Sequence, residues 1–309
     1  MLDYTDSNEL FYEPRREVMG MIEFPEKEPE MSEFESAFLC GMIRKRKPKK
    51  IVEVGIAAGG TTAIIMDCLS QLGMNEATEL HSIDCQELFY RGSGEKSGYL
   101  ADEYKNVSHW HGKHKLFLGN YLPEVMEEIG DGIDFVILDT RHRLPGELLD
   151  FLAIFPYLKI GSLVVLHDIS LNHIELPEQY ATQLLLDVVV AEKHLMADSK
   201  REFGYPNIGA FEIIDDTSKY ISDVFHALMI TWNYLPDRST IDLYLQSYEK
   251  NYSSDLVKLA GVVYELQCRT YRNKQQVKPE SWKQSKSYKI GRMVTYLPRK
   301  IRGIFVKQK

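Results

Sequence analysis

One run of residues constrains the fold more than any other: Lys50-Ile-Val-Glu-Val-Gly-Ile-Ala-Ala-Gly-Gly-Thr-Thr62. A short apolar strand ends at Gly55, and an apolar helix over 61–72 follows, stopped by Gly73. Between them lie glycines, which let a backbone take positive φ and come close to a ligand. A strand–glycine–helix unit of this kind sits at the ligand crevice of doubly wound sheets. Its spacing is E-x-G-x-x-x-G, neither GxGxxG nor GxxxxGK[ST], which disfavours a dinucleotide or a nucleoside triphosphate.

The rest of the pattern repeats the unit. Apolar strands are predicted at 79–84, 115–118, 133–139 and 162–168, with a helix at 146–158 between the last two. Continuous apolar strands alternating with helices imply a mostly parallel sheet covered on both faces, an α/β, Rossmann-like, doubly wound fold. A helix over 180–196 and a late strand over 208–214 follow, with only a doubtful partner for that strand. Helical additions flank the domain on both sides. In the first, Ser32 and Glu35 have the spacing of a capping box ahead of Phe34, Phe38, Leu39 and Met42. In the second, Leu256, Leu259, Val263 and Leu266 form an apolar stripe suited to core packing. The resulting division is 1–50 helical, 51–215 the α/β domain, 216–282 a helical extension and 283–309 a basic amphipathic tail.

At 309 residues the chain is long enough for a core without disulfides or structural zinc, and its four cysteines form no CxxC pair. Scattered cysteines fit a reducing, cytoplasmic compartment. The polar, acidic start lacks the form of a signal peptide, and no apolar run reaches about 18 residues. The net charge of −8 is unevenly spread: 283–309 holds nine Lys/Arg and no Asp/Glu, leaving the body at −17. So acidic a body is expected to bind no nucleic acid.

Candidate chemistry gathers at strand ends. Glu53 is an acid available to an ammonium group, Gly55 and Gly59 open the loop, and Asp84 ends the second strand where a carboxylate can accept ribose hydroxyls. Asp139 and His142 follow the fourth strand, and His167 and Asp168 the fifth, so all four should face one crevice. Two carboxylates and two imidazoles suit a hard divalent cation such as Mg²⁺, which lowers the pKa of a bound hydroxyl. A histidine near neutral pKa can then take the proton.

The glycine stretch resembles motif I of the class I S-adenosylmethionine-dependent methyltransferases, and Asp84 matches their second acidic motif. That resemblance implies that Gly55 and Gly59 wrap the amino-acid part of the donor and that Asp84 holds its ribose. Asp139-x-x-His142 with the later His167-Asp168 is similar to the macrocin-type sugar O-methyltransferases and cephalosporin-hydroxylase-like proteins. It implies Asp139 and Asp168 as metal ligands, His142 as general base, and a sugar or glycan hydroxyl as acceptor. His167 stands where the sugar enzymes often carry an acid, and imidazole also binds metals. The resemblance covers about residues 34–170. A metal-independent small-molecule methyltransferase, a nucleotide-dependent oxidoreductase and a non-catalytic scaffold recruited to a membrane complex remain as alternatives.

Four further features carry expectations. His109, His111 and His114 form an H-x-H-x-x-H cluster, more simply read as loop histidines than as a metal site. The six basic residues from Arg44 to Lys50 read as a solvated helix end. Residues 87–104 read as a lid over the donor or a disordered excursion. The tail alternates Tyr288, Ile290, Met293, Tyr296 and Phe305 with Lys289, Arg292, Arg299, Lys300 and Arg302. This suits an anionic membrane surface, where each basic residue is worth about 1 kcal/mol. Ser-x-Ser-Tyr-x-x-Gly-Arg followed by Leu-Pro-Arg-Lys resembles the C-terminal tails of bacterial surface-polysaccharide enzymes, which implies a place at the inner membrane face near lipid-linked glycans. The alternative is that the tail packs on the acidic body or on a partner's acidic surface; a homo-oligomer is a separate expectation.

Overall fold

The computed structural model describes residues 31–276, apart from 93, 175, 202 and 203. The predicted membrane tail and most of the N-terminal segment therefore lie outside the described residues. The chain divides into two compact units that part after Val263, and the site belongs to the first.

Its elements follow the predicted alternation. After α1 (Glu33–Arg46) come β1 (Lys50–Val54), α2 (Gly60–Gln71), β2 (Glu79–Asp84), α3 (Tyr99–Ser108), β3 (Lys113–Leu118), α4 (Leu122–Ile129), β4 (Ile133–Leu138), α5 (Gly146–Ile154) and β5 (Leu158–His167). Then come α6 (Leu171–Ile174), α7 (Ala181–Val188), β6 (Glu192–His194), β7 (Ile208–Glu212), α8 (Asp215–Lys219), α9 (Ile221–Ala227), α10 (Arg238–Asn251) and α11 (Ser254–Gln276).

The seven strands form one sheet in the order β3-β2-β1-β4-β5-β7-β6. The first five run parallel, and β7 inserts antiparallel to both β5 and β6. The order reverses between β1 and β4, so the crevice beyond their carboxyl ends is where a ligand belongs. Ile51, Val52, Phe135, Val136, Ile137 and Leu138 are fully buried, as both-face coverage requires.

Three expectations change. The helix predicted over 180–196 stops at Val188, and β6 follows. The run Val188-Val189-Val190 is β-branched, which weakens a helix, and β6 gains a ladder on β7. This supplies the doubtful partner of the late strand. The 87–104 excursion is ordered: Leu88 bridges Lys96, Ser97 N–H donates to the Glu87 carbonyl at 2.9 Å, and α3 begins at Tyr99. The predicted helical stripe is uneven, with Val263 buried and Leu266 48% exposed.

What fastens the later helices is instead a tyrosine row at i, i+4, i+8. Tyr244, Tyr248 and Tyr252 turn one face of α10 and its end toward α5, where their hydroxyls donate to Asp150 Oδ1, the Leu149 carbonyl and the Leu152 carbonyl. Phe225 packs edge-on against Tyr248 and Tyr252, 5.7 and 5.0 Å between ring centres. Such hydrogen bonds contribute about 1 kcal/mol each beyond the burial of the rings. They place residues 234–244 over the cavity mouth. Among the described residues no helix is long and apolar enough to cross a membrane.

Candidate functional site

β1 delivers the chain to Gly55, whose N–H donates to the Ile83 carbonyl at 2.9 Å while Asp139 N–H donates to the Val54 carbonyl at 2.9 Å. The end of β4 is thereby pressed against the turn. Gly55 has φ +88°, and a Cβ there would lie 1.9 Å from the Asp139 carbonyl oxygen, so only glycine fits. Gly59 has φ +94°, and its missing Cβ leaves room for Gly98, whose Cα would be 2.8 Å away. Gly98 N–H and Leu100 N–H donate to the Ala57 and Ala58 carbonyls, each at 2.9 Å. The 87–104 segment is thus stitched to the glycine loop, and Phe89, Tyr90 and Arg91 reach the cavity from it.

Asp84 braces the same loop. Its Oδ2 accepts from Ile56 N–H and Ala57 N–H at 3.1 Å each, and its Oδ1 from Gln86 N–H at 2.8 Å. It also lines the cavity, where its free lone pairs can meet a hydroxyl. Glu53 behaves differently from the expectation. It is fully buried and does not line the cavity, because alternation along β1 turns it beneath the loop. Its Oε2 accepts from Thr62 Oγ1 and Ser82 Oγ, both at 2.7 Å, while Oε1 has no partner. Burial raises its pKa to about 7 against the pull of those two hydroxyls, and Asp139 and Asp84 add to the rise. Its role here is to tie α2 to β1 and β2 rather than to meet an ammonium group.

The cavity is about 1230 Å³ and runs from this loop to the ends of β4 and β5. Ligand sites commonly measure about 300–1,000 Å³, so there is room for a donor and an acceptor together.

At the far end His142 Nε2 lies 3.3 Å from Asp168 Oδ2 and 3.6 Å from Asp139 Oδ1. One ligand atom from each of the three falls within 4.8 Å of the others, a set able to hold a metal ion. His142 and Asp168 have φ of +56° and +59°, a left-handed conformation that costs a non-glycine residue energy and marks functional positions. Fully buried Glu147 holds the imidazole from behind: its Oε1 accepts from His142 N–H and lies 3.4 Å from Nδ1. Asn207 Nδ2 donates to Asp168 Oδ1 at 2.6 Å, and Asn207 Oδ1 accepts from Ser170 Oγ at 2.8 Å.

His167, expected as a metal ligand, is not in that cluster. It is the last residue of β5, and its ring is 3% exposed, between Asp139 Oδ1 at 3.2 Å and Glu35 Oε2 at 3.6 Å. Burial alone would lower its pKa, but Asp139, Asp168 and Glu35 outweigh it and hold the ring protonated. Burial likewise pushes Glu35 upward, yet His167 and the Ser32 cap bring it to about 2. Burial also works to raise Asp139, and His167 and His142 hold it low. The predicted capping box is present, and its Glu35 does double duty, also accepting from Arg201 at 3.1 Å.

Of the predicted residues, Gly55 and Asp84 line one end of the cavity and Asp139, His142 and Asp168 the other, while Gly59 lies in the same loop turned toward Gly98. Sequence reasoning passed over Glu35, Glu147, Asp150 and Asn207. The signal for two of them was present: Glu147 and Asp150 are acids in the otherwise apolar run Gly-Glu-Leu-Leu-Asp-Phe-Leu-Ala-Ile of α5. Burial raises Asp150 to about 7. The histidine cluster comes apart: His109 ends α3, and His114 meets Ser82 Oγ at 3.1 Å, its pKa held down near 3, chiefly by burial. Arg46 and Lys50 at the basic helix end pair with Glu212 and with the Ile129 and Asp131 carbonyls.

A seven-stranded, doubly wound sheet with one antiparallel strand and a glycine loop at its switch point defines a Rossmann-like fold. Residues 52–169 match a family model described as a methyltransferase domain, and this part of the chain is similar to that family. No curated protein matches the sequence. Similar solved structures include the O-methyltransferase TomG from Streptomyces achromogenes, in complex with S-adenosylmethionine, at 18% identity over 59% of this chain and 81% of that one, TM-score 0.43. An O-methyltransferase from Bacillus cereus in complex with S-adenosylhomocysteine matches at 14% identity over 64% and 86%, TM-score 0.42. CalS11, a TDP-rhamnose 3'-O-methyltransferase of calicheamicin biosynthesis, matches at 16% identity over 57% and 77%, TM-score 0.44.

Proposed function

We propose that the protein transfers a methyl group from S-adenosylmethionine to a hydroxyl oxygen of a sugar or glycan acceptor. The observation that carries this reading is one cavity walled at one end by Gly55–Ala58 and Asp84, and at the other by Asp139, His142 and Asp168. The donor fits the first end, where Gly55, Ile56, Ala57, Ala58 and Asp84 line the cavity. When bound, it supplies an electrophilic methyl on sulfur.

The chain's own residues supply position and a proton acceptor. Glu147 lies against His142 Nδ1, which leaves the Nε2 lone pair facing Asp168 and Asp139. Nε2 is the atom that takes the acceptor hydroxyl proton, and the two carboxylates stabilise the imidazolium. Tyr121, Tyr234 and Tyr244 line the acceptor end and suit a sugar ring, with apolar faces and polar rims.

The same Asp139, His142 and Asp168 fit a divalent cation, two oxygen donors and one nitrogen. It would lower the pKa of the hydroxyl, and Mg²⁺ is the expected ion. With Nε2 bound to it, that nitrogen could not also act as base, so the two uses separate experimentally. Methyl transfer should be lost on chelation and restored by Mg²⁺ if the ion is needed, and should persist in chelator if His142 acts alone. Calorimetry with S-adenosylhomocysteine tests the donor site, and absence of binding would overturn the reading. Residues 283–309 are proposed to bring the enzyme to an anionic membrane near lipid-linked glycans of surface-polysaccharide synthesis. Flotation with liposomes, with and without the tail, tests this.

A further inference from the structure

Arg141 is the arginine in the cavity wall whose charge the fold leaves unanswered. Arg46, Arg143, Arg201 and Arg238 pair with Glu212, Glu178, Glu35 and Asp242. Among the described residues Arg141 is within ion-pair distance of no carboxylate, although it is exposed on the wall of the cavity. Its guanidinium lies 4.8 Å from the centre of the Tyr234 ring. Over the ring and with no carboxylate in reach, its N–H groups are available to an oxyanion, which a guanidinium can bind in bidentate fashion.

Its position matters as much as its freedom. Arg141 directly precedes His142 in the chain, and both line the same cavity. Asp84, Asp139, Asp168 and Asp237 make the remaining wall acidic. Among the wall's cations, Arg91 stands at the donor end and His167 is buried between Asp139 and Glu35, which leaves Arg141 as the exposed cation beside His142. An unpaired guanidinium next to the reacting end therefore selects where a negative charge on the acceptor sits.

From this geometry we infer that the acceptor carries an oxyanion, a phosphate or a carboxylate, held by Arg141 on the Tyr234 shelf close to the hydroxyl that is methylated. This rests on the methyltransferase reading and names its substrate class. The test is calorimetry on the full chain loaded with S-adenosylhomocysteine, using glucose 1-phosphate, glucuronate and glucose as probes. One charged probe should bind at least about tenfold more tightly than glucose. Whichever does identifies phosphate or carboxylate as the source of the charge. Arg141→Gln should erase that preference and Arg141→Lys recover part of it, with S-adenosylhomocysteine affinity and melting temperature unchanged. Equal binding of all three probes, binding of none, or a preference that survives Arg141→Gln would overturn the inference alone. Failure of the wild-type protein to bind S-adenosylhomocysteine would overturn the methyltransferase reading and this inference with it.

Discussion

Replacing Glu53 with glutamine isolates the cost of keeping a carboxyl beneath the glycine loop. In the folded chain the group titrates at about 7, against an ordinary 4.5, because it is fully buried and only Oε2 has hydrogen-bond donors. The folded state thus binds the proton more tightly than the unfolded state. The stability this supplies is complete below pH 4.5 and is lost as pH rises to about 7. At roughly 1.4 kcal/mol per pH unit, the loss is about 3 kcal/mol. Glutamine keeps an oxygen for Thr62 and Ser82 and cannot ionise. The difference in unfolding free energy between Glu53→Gln and wild type should therefore move by about 3 kcal/mol in the variant's favour between pH 4.5 and pH 8. In melting temperature that is about 6–12 °C for a domain of this size. Asp150 titrates in the same window but is present in both proteins and cancels. Denaturant titrations at the two pH values measure the effect. A difference that stays constant with pH would refute the argument, showing Glu53 to be solvated or charge-paired.

Gly55→Ala should destabilise by at least about 2 kcal/mol and abolish S-adenosylhomocysteine binding, since it adds left-handed strain to a Cβ 1.9 Å from the Asp139 carbonyl; calorimetry and thermal melts check both. His167→Gln leaves Glu35 and Asp139 facing each other without their cation and should cost about 3–5 kcal/mol, read by denaturant titration. Asn207→Ala frees Asp168 Oδ1 and should lower methyl transfer about 10–100-fold while donor affinity holds, read as separate kcat and binding measurements. Glu147→Gln should lower kcat for methyl transfer while leaving donor affinity intact, because Glu147 touches the His142 imidazole and not the donor loop, read as separate kcat and binding measurements.

The sequence alone determined the parallel core of the sheet, the glycine cradle and the strand-end acids. These depend on local facts: apolar runs of strand length, glycines where φ must be positive, and carboxylates where parallel strands end. β6 was hidden because three residues carry too little pattern, and its ladder on β7 outweighed a helical reading of the preceding run. The roles of the two imidazoles were decided only by tertiary structure. His142 and His167 look alike in sequence, but His167 ends β5 against Glu35 of α1, 132 residues away in the chain, while a left-handed turn at His142 swings its ring toward Asp139 and Asp168. A pairing across that separation leaves no periodic trace, because it is set by how α1 packs on the sheet and not by any neighbour in the chain.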